Sequence, residues 1–149
     1  MSLIRDVYSE VILEHYRNPR NLGALPDPDV TEKGHNESCG DDIELFIKFK
    51  DGIIQEVTFE GKGCAISQSS ASMMTDLLHG KTVAEAMTLI EDFKLMITGE
   101  KPFPETEQFD ELAALKGVVK LPIRVKCATL CWNTMRMGLR KYSEPETAQ

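Results

Sequence analysis

The chain lacks any apolar run long enough to span a bilayer, any Gly/Ser-rich linker and any repeat at a solenoid period. Met1 to Arg20 mixes charges with apolar residues and has no apolar core of the signal-peptide kind, so a secretory leader is not expected there. Positive charge is also short. Seventeen Lys and Arg face 24 Asp and Glu, for a net charge of -7 and a pI of about 5.0. That balance argues against nucleic acid and against an anionic membrane as partners, and permits docking onto a basic patch of another protein. There are only three histidines, no nucleophile elbow around a serine, and no CxxC pair of the zinc-finger kind. What remains is 149 residues, 42% hydrophobic, enough for one domain over residues 1–149 with a real core. The cytoplasm is the expected compartment. Thiols stay reduced there, which makes cysteines ligands or reactive groups rather than disulfides.

All four cysteines fall in three short motifs: Cys39-Gly40-Asp41, Gly61-Lys62-Gly63-Cys64-Ala65-Ile66-Ser67, and Arg124-Val125-Lys126-Cys127-Ala128-Thr129-Leu130-Cys131. Three thiols and one carboxylate can complete a tetrahedral zinc shell. Cys39 and Asp41 are two apart, so a turned loop freed by Gly40 can aim both at one centre. Cys64 stands at a strand-to-helix junction and Cys127 near the start of the last helix. Helix N-termini favour thiolates at both places. Lys62 and the pair Arg124 and Lys126 add cations that could lower a thiol pKa or stabilise a displaced thiolate.

The rest of the chain predicts the frame. Leu3–Arg17 reads as an amphipathic helix with Ile4, Val7, Tyr8, Val11, Ile12 and Tyr16 on one stripe, ended by Asn18-Pro19. Asn21–Ser38, rich in Gly, Pro, Asp and Asn, reads as loop. Ile43, Leu45, Ile47 and Phe49 alternate as a strand, Asp51-Gly52 signals a hairpin turn, and Ile53, Val57 and Phe59 mark the return strand. Phe46 and Ile54 break the alternation, so the outer face is expected to be partly covered. Ser67 caps a helix over residues 68–79 that stops at Gly80, and Thr82–Glu85 is a capping box opening another, with Val83, Ala86, Met87, Ile90 and Phe93 inward. Phe109, Leu112, Ala113 and Leu115 suggest a short helix after Thr106. Pro122 suits the first turn of a last helix running to about Tyr142, with a frayed tail from about residue 143. The order gives an α+β domain with a small antiparallel sheet packed by helices and the metal or sulfur site at one edge.

Each piece has a bland alternative. A lone cysteine is most often a small buried hydrophobe, a reading that suits Cys131 beside Leu130 and Trp132. An Asp after Gly is usually a turn residue. His35 fits a solvated loop, and His15 and His79 sit at helix ends. The Ser67–Ser72 run is better read as close packing than as catalysis. Only the combination of the three cysteine motifs outweighs these readings.

That combination resembles the IscU/NifU-type iron–sulfur cluster assembly proteins, and within them the SufU branch. Cys39-Gly40-Asp41, Gly63-Cys64-Ala65-Ile66-Ser67 followed by Ser69-Ser70-Ala71, and Arg124-Val125-Lys126-Cys127 carry the match. Tyr8, His15, Tyr16, Pro19, Arg20 and Asn21 extend it, over roughly Leu3 to Tyr142. Scaffold-type members carry a histidine just before the third cysteine, whereas this chain has Lys126 there and extra sequence at about Gly99–Leu121, as SufU does. The resemblance implies a SufE/NifU-like fold and a zinc site made by Cys39, Asp41, Cys64 and Cys127, with Arg124, Lys126 and Cys131 as neighbours that could bear on it. It further implies a pyridoxal phosphate-dependent, SufS-like cysteine desulfurase as partner, alongside other cluster-assembly proteins, with Cys39 as the sulfur acceptor. The protein would then be a zinc-dependent sulfurtransferase. The alternative is a scaffold that assembles a labile [2Fe–2S] cluster, or binds iron, on the same residues.

Overall fold

The computed structural model describes residues 9–143. Helix α1 spans Glu10–Arg17, followed by strands β1 (Val30–Asn36), β2 (Asp41–Lys50) and β3 (Ile53–Lys62) and helices α2 (Ala65–Leu78) and α3 (Val83–Ile97). Two 3-10 turns, Glu107–Phe109 and Leu112–Val118, lead to the long helix α4 (Pro122–Ser143). The strands form one antiparallel sheet in the order β1-β2-β3. This is the α+β arrangement the sequence predicts. The predicted helical residues before Ser9 and the predicted frayed tail beyond Ser143 lie outside the described residues.

The hairpin follows its turn chemistry. Asp51 (φ 53°) and Gly52 (φ 77°) both take positive φ, as a two-residue primed turn requires. The return strand differs from expectation by one residue. Ile54 is buried and Ile53 is 39% exposed, because a bulge opposite Lys48 and Phe49 pairs Phe49 with Ile54 and leaves Gln55 extra. The bulge restores alternation, so Ile54, Val57 and Phe59 share the inner face. Phe46, on the other face, is only 8% exposed, in line with the expected partial cover.

The inner face of the sheet meets α4 and α2. Leu45, Ile47 and Phe59 join Ile66, Met74, Phe93 and Trp132 in one core, with Phe93 and Trp132 stacked at 4.2 Å. The serines of α2 are part of this packing. Ser70 Oγ donates to the Ala128 carbonyl (2.7 Å) and accepts from Trp132 Nε1 (3.0 Å), which ties α2 to α4. On α3, Thr82 and Glu85 form the reciprocal capping box. Ser67 is not a cap. It is buried in the first turn of α2, and Cys64 takes the N-cap position with extended backbone. The helix starts earlier than predicted because the strand ends at Lys62 and only Gly63 separates it from the cap.

Ile4, Val7 and Tyr8 of the stripe proposed for the first helix lie outside the described residues, and the rest follow it only in part. Ile12 and His15 are buried, while Val11 and Tyr16 stay exposed. His15 is fixed by Ser72 Oγ (2.7 Å) and Glu111 Oε1 (3.1 Å), so it is a buried tie between α1, α2 and the 3-10 segment. Among the described residues, no helix is long and apolar enough to cross a membrane.

Candidate metal and sulfur site

Strand β1, expected as loop, is what positions the first motif. It ends at Asn36, whose carbonyl accepts the Gly40 N–H at 2.8 Å and closes a tight turn through Cys39. Gly40 holds φ +70° with nothing crowding its Cα, so the turn selects glycine for its backbone alone. Asp41 then opens β2 and is fully buried. The glycine before the second motif has a different reason. A Cβ on Gly63 would stand 2.4 Å from Asp41 Oδ1. Its absence lets the β3–α2 junction close over the carboxylate, and the Cys64 N–H donates to that oxygen at 3.0 Å.

Cys127 reaches the same place from the second turn of α4. Cys39, Asp41 and Cys127 offer ligand atoms that all lie within 4.8 Å of one another. The two sulfurs are 3.0 Å apart and both cysteines are free thiols. Cys64 joins through its backbone. Its half-buried side chain lines the same cleft as Cys39 and stands outside the tight cluster. The Arg124 guanidinium points at both sulfurs, 3.9 Å from Cys39 Sγ and 4.0 Å from Cys127 Sγ. Lys126 and Lys62 are exposed. Cys131 is elsewhere, buried against Ser70 Oγ at 3.6 Å, and burial pushes its thiol pKa up to about 12. His35 stands on β1, paired with Asp42 rather than with the cluster.

Burial raises the pKa of the Cys127 thiol strongly, and the adjoining Cys39 thiol, Asp41 and Cys64 add to the effect. Two clustered sulfurs and a carboxylate in a site that resists bare negative charge suit a divalent cation of borderline softness. The donor set therefore fits zinc: two clustered thiols, one carboxylate held at both oxygens, a third thiol, Cys64, lining the same cleft, and a cation that would offset their charge. Cys39 opens onto a cleft of about 560 Å³ lined also by Ser38, Cys64, Leu121, Pro122, Ile123 and Arg124.

Sequence reasoning missed Asn36. Its Nδ2 lies 3.2 Å from Asp41 Oδ2 and 3.7 Å from Cys127 Sγ. Its place three residues before Cys39 was the available signal, hidden because the segment read as loop.

An α+β domain that gathers two cysteine thiols and an aspartate at the edge of a three-stranded sheet defines a class of small domains with a donor set able to hold a metal ion. This chain belongs to the family of the NifU-like N-terminal domain, whose model matches residues 7–149. It is 42% identical over 135 residues to the zinc-dependent sulfurtransferase SufU of Bacillus subtilis, covering 91% of this chain and 90% of that protein. It is 40% identical over 139 residues to the iron–sulfur cluster assembly scaffold protein IscU of Thermotoga maritima, covering 93% and 96%. A crystal structure of the N-terminal part of a nitrogen-fixing NifU-like protein from Brucella abortus superposes with a TM-score of 0.88 at 27% identity, covering 96% and 99%.

Proposed function

We propose that this protein accepts sulfur on Cys39 from a pyridoxal phosphate-dependent cysteine desulfurase and passes it on for iron–sulfur cluster assembly in the cytoplasm. In this reading Cys39, Asp41, Cys64 and Cys127 hold a zinc ion. When bound, zinc supplies charge that keeps its thiols ionised at neutral pH without redox chemistry of its own. The observation that carries the proposal is the difference in access among the clustered donors. Asp41 and Cys127 are 0% and 1% exposed, whereas Cys39 sits half-buried on a glycine turn at the mouth of the cleft. The relative named a zinc-dependent sulfurtransferase supports the same reading.

The chemistry is a thiol exchange. The Cys39 thiolate attacks the outer sulfur of a cysteine persulfide on the desulfurase. A bond from Cys39 Sγ to that sulfur forms, the S–S bond to the desulfurase cysteine breaks, and that cysteine leaves as thiolate. No net oxidation occurs. Arg124, already aimed at Cys39 Sγ, is placed to offset the anionic persulfide that results. The apolar lip formed by Leu121, Pro122 and Ile123, the last 60% exposed, offers a surface for the donor to rest on.

Desulfurase turnover measured with and without the zinc-loaded protein tests this. The wild type should raise turnover and Cys39→Ala should not, while keeping its fold by circular dichroism. Full stimulation by Cys39→Ala would overturn the assignment. A second reading, a scaffold that carries a labile [2Fe–2S] cluster as cargo, is favoured by the relative named as a scaffold and by thiol ligation. It expects a cluster that forms anaerobically and transfers to an apo-acceptor, with no effect on desulfurase turnover.

A further inference from the structure

We propose that Asn36 is a positioning residue that fixes Asp41 and Cys127, and so makes Cys39 the donor that is free to move and to take sulfur. The inference rests on the reading of the site given above and deepens it. Asn36 is 9% exposed and uses its whole amide. Its Nδ2 donates to Asp41 Oδ2 at 3.2 Å and to Cys127 Sγ at 3.7 Å. Oδ1 accepts the Ser38 N–H at 3.3 Å. The orientation is set by its neighbours, since the flipped amide would put its oxygen against a carboxylate and its nitrogen against an N–H.

Asp41 is thereby held at both oxygens, by Cys64 N–H on one side and Asn36 on the other. Cys127 and Cys39, only 3.0 Å apart, are not held alike. Arg124 lies at nearly equal distance from both sulfurs and so does not distinguish them. The Asn36 amide reaches Cys127 and not Cys39. An N–H donor on a thiolate withdraws electron density from it, which stabilises it as a ligand and weakens it as a nucleophile. Asn36 also closes the turn that carries Cys39, through its backbone carbonyl and Oδ1, yet its side chain makes no bond to that sulfur. Beside the Cys64 N–H on Asp41 and the Ile123 carbonyl on Cys127, Asn36 is the side chain that ties these two donors to each other and leaves Cys39 out.

Two variants separate this role from the turn. Asn36→Ser and Asn36→Asp can each accept the Ser38 N–H and keep the turn, but neither supplies the two N–H donors. Three readouts apply: zinc affinity by chelator competition, the absorption spectrum of the cobalt-loaded protein, and the site of sulfur after exposure to the desulfurase. Both variants should bind zinc about 10- to 100-fold more weakly and shift the thiolate–cobalt bands. In both, sulfur should be shared between Cys39 and Cys127, where the wild type carries it on Cys39. A merely structural role would lower the melting temperature and leave the cobalt bands and the sulfur position unchanged. Variants within twofold of wild type in zinc affinity, with the wild-type cobalt spectrum, would overturn the proposal. The metal readouts need no desulfurase, so a wild type that accepts no sulfur would refute the sulfur-transfer reading while the role of Asn36 is still judged on affinity and spectrum.

Discussion

Replacing Gly63 by alanine should break the site through a single methyl group. The new Cβ would lie 2.4 Å from Asp41 Oδ1 and 3.0 Å from Asp41 Cγ. Ordinary contact requires the carboxylate to retreat by about 1 Å, as expected for overpacking in a filled interior. Asp41 is 0% exposed and its Oδ1 accepts the Cys64 N–H at 3.0 Å, so that retreat strains or breaks a charge-assisted bond worth about 1.5–3 kcal/mol. With the steric cost, the loss should be about 3 kcal/mol, a fall in Tm of about 6–12 °C for a domain of this size. Zinc affinity should fall about 10- to 100-fold, because Asp41 and the Cys64 backbone no longer share one position. Gly80→Ala is the control. Gly80 also has positive φ (+80°) but its Cβ would meet nothing, so that variant should lose stability and keep wild-type zinc affinity. Melting curves and chelator competition on both variants measure the two effects. A Gly63→Ala protein that binds zinc within twofold of wild type would refute the claim that the β3–α2 junction closes on Asp41.

Other outcomes follow from the same geometry. Ser70→Ala should cost about 1–3 kcal/mol by leaving the buried Trp132 N–H unpaired, and should cost less in a Trp132→Phe background, which has no N–H to strand, in a double-mutant cycle by thermal denaturation. Cys131 ionises near 9 when unfolded and is pushed up to about 12 by burial, so between these values the unfolded chain has lost a proton that the folded chain keeps. Stability should therefore fall as pH rises through that window, by up to about 1.4 kcal/mol per pH unit from this group, and Cys131→Ala should show a shallower fall in alkaline melting curves. His15→Ala removes the bonds to Ser72 and Glu111 that hold α1 down, and limited trypsin digestion should then cut after Arg17 or Arg20 faster than in the wild type.

The parts of the fold legible in the sequence are those with local chemistry of their own. Asp51-Gly52 demands a primed turn, Thr82 and Glu85 cap each other, and Pro122 opens α4 wherever the rest of the chain goes. Strand β1 was illegible for a physical reason. Its inward positions are Val30, Glu32, Gly34 and Asn36, and Gly34 is needed because a Cβ there would fall 2.1 Å from Thr134 Oγ1 on α4. A strand whose burial depends on a close helix 100 residues later carries little hydrophobic signal. Ile54 was misplaced because a bulge leaves no mark in the pattern. At the site, the convergence of Cys39, Asp41 and Cys127 was legible as a combination of motifs. Asn36 and the fit of Gly63 against Asp41 depend on contacts between distant segments, which no spacing along the chain encodes.

Which sulfur receives the transferred atom decides whether Cys39 is the acceptor. The direct test is mass spectrometry of the zinc-loaded protein after incubation with a cysteine desulfurase and free cysteine, under non-reducing conditions. A mass gain of one sulfur atom is expected on the peptide containing Cys39, with Cys64, Cys127 and Cys131 unmodified. Sulfur on Cys64 or Cys127 in the wild type, or none on any cysteine while the desulfurase turns over, would contradict that assignment.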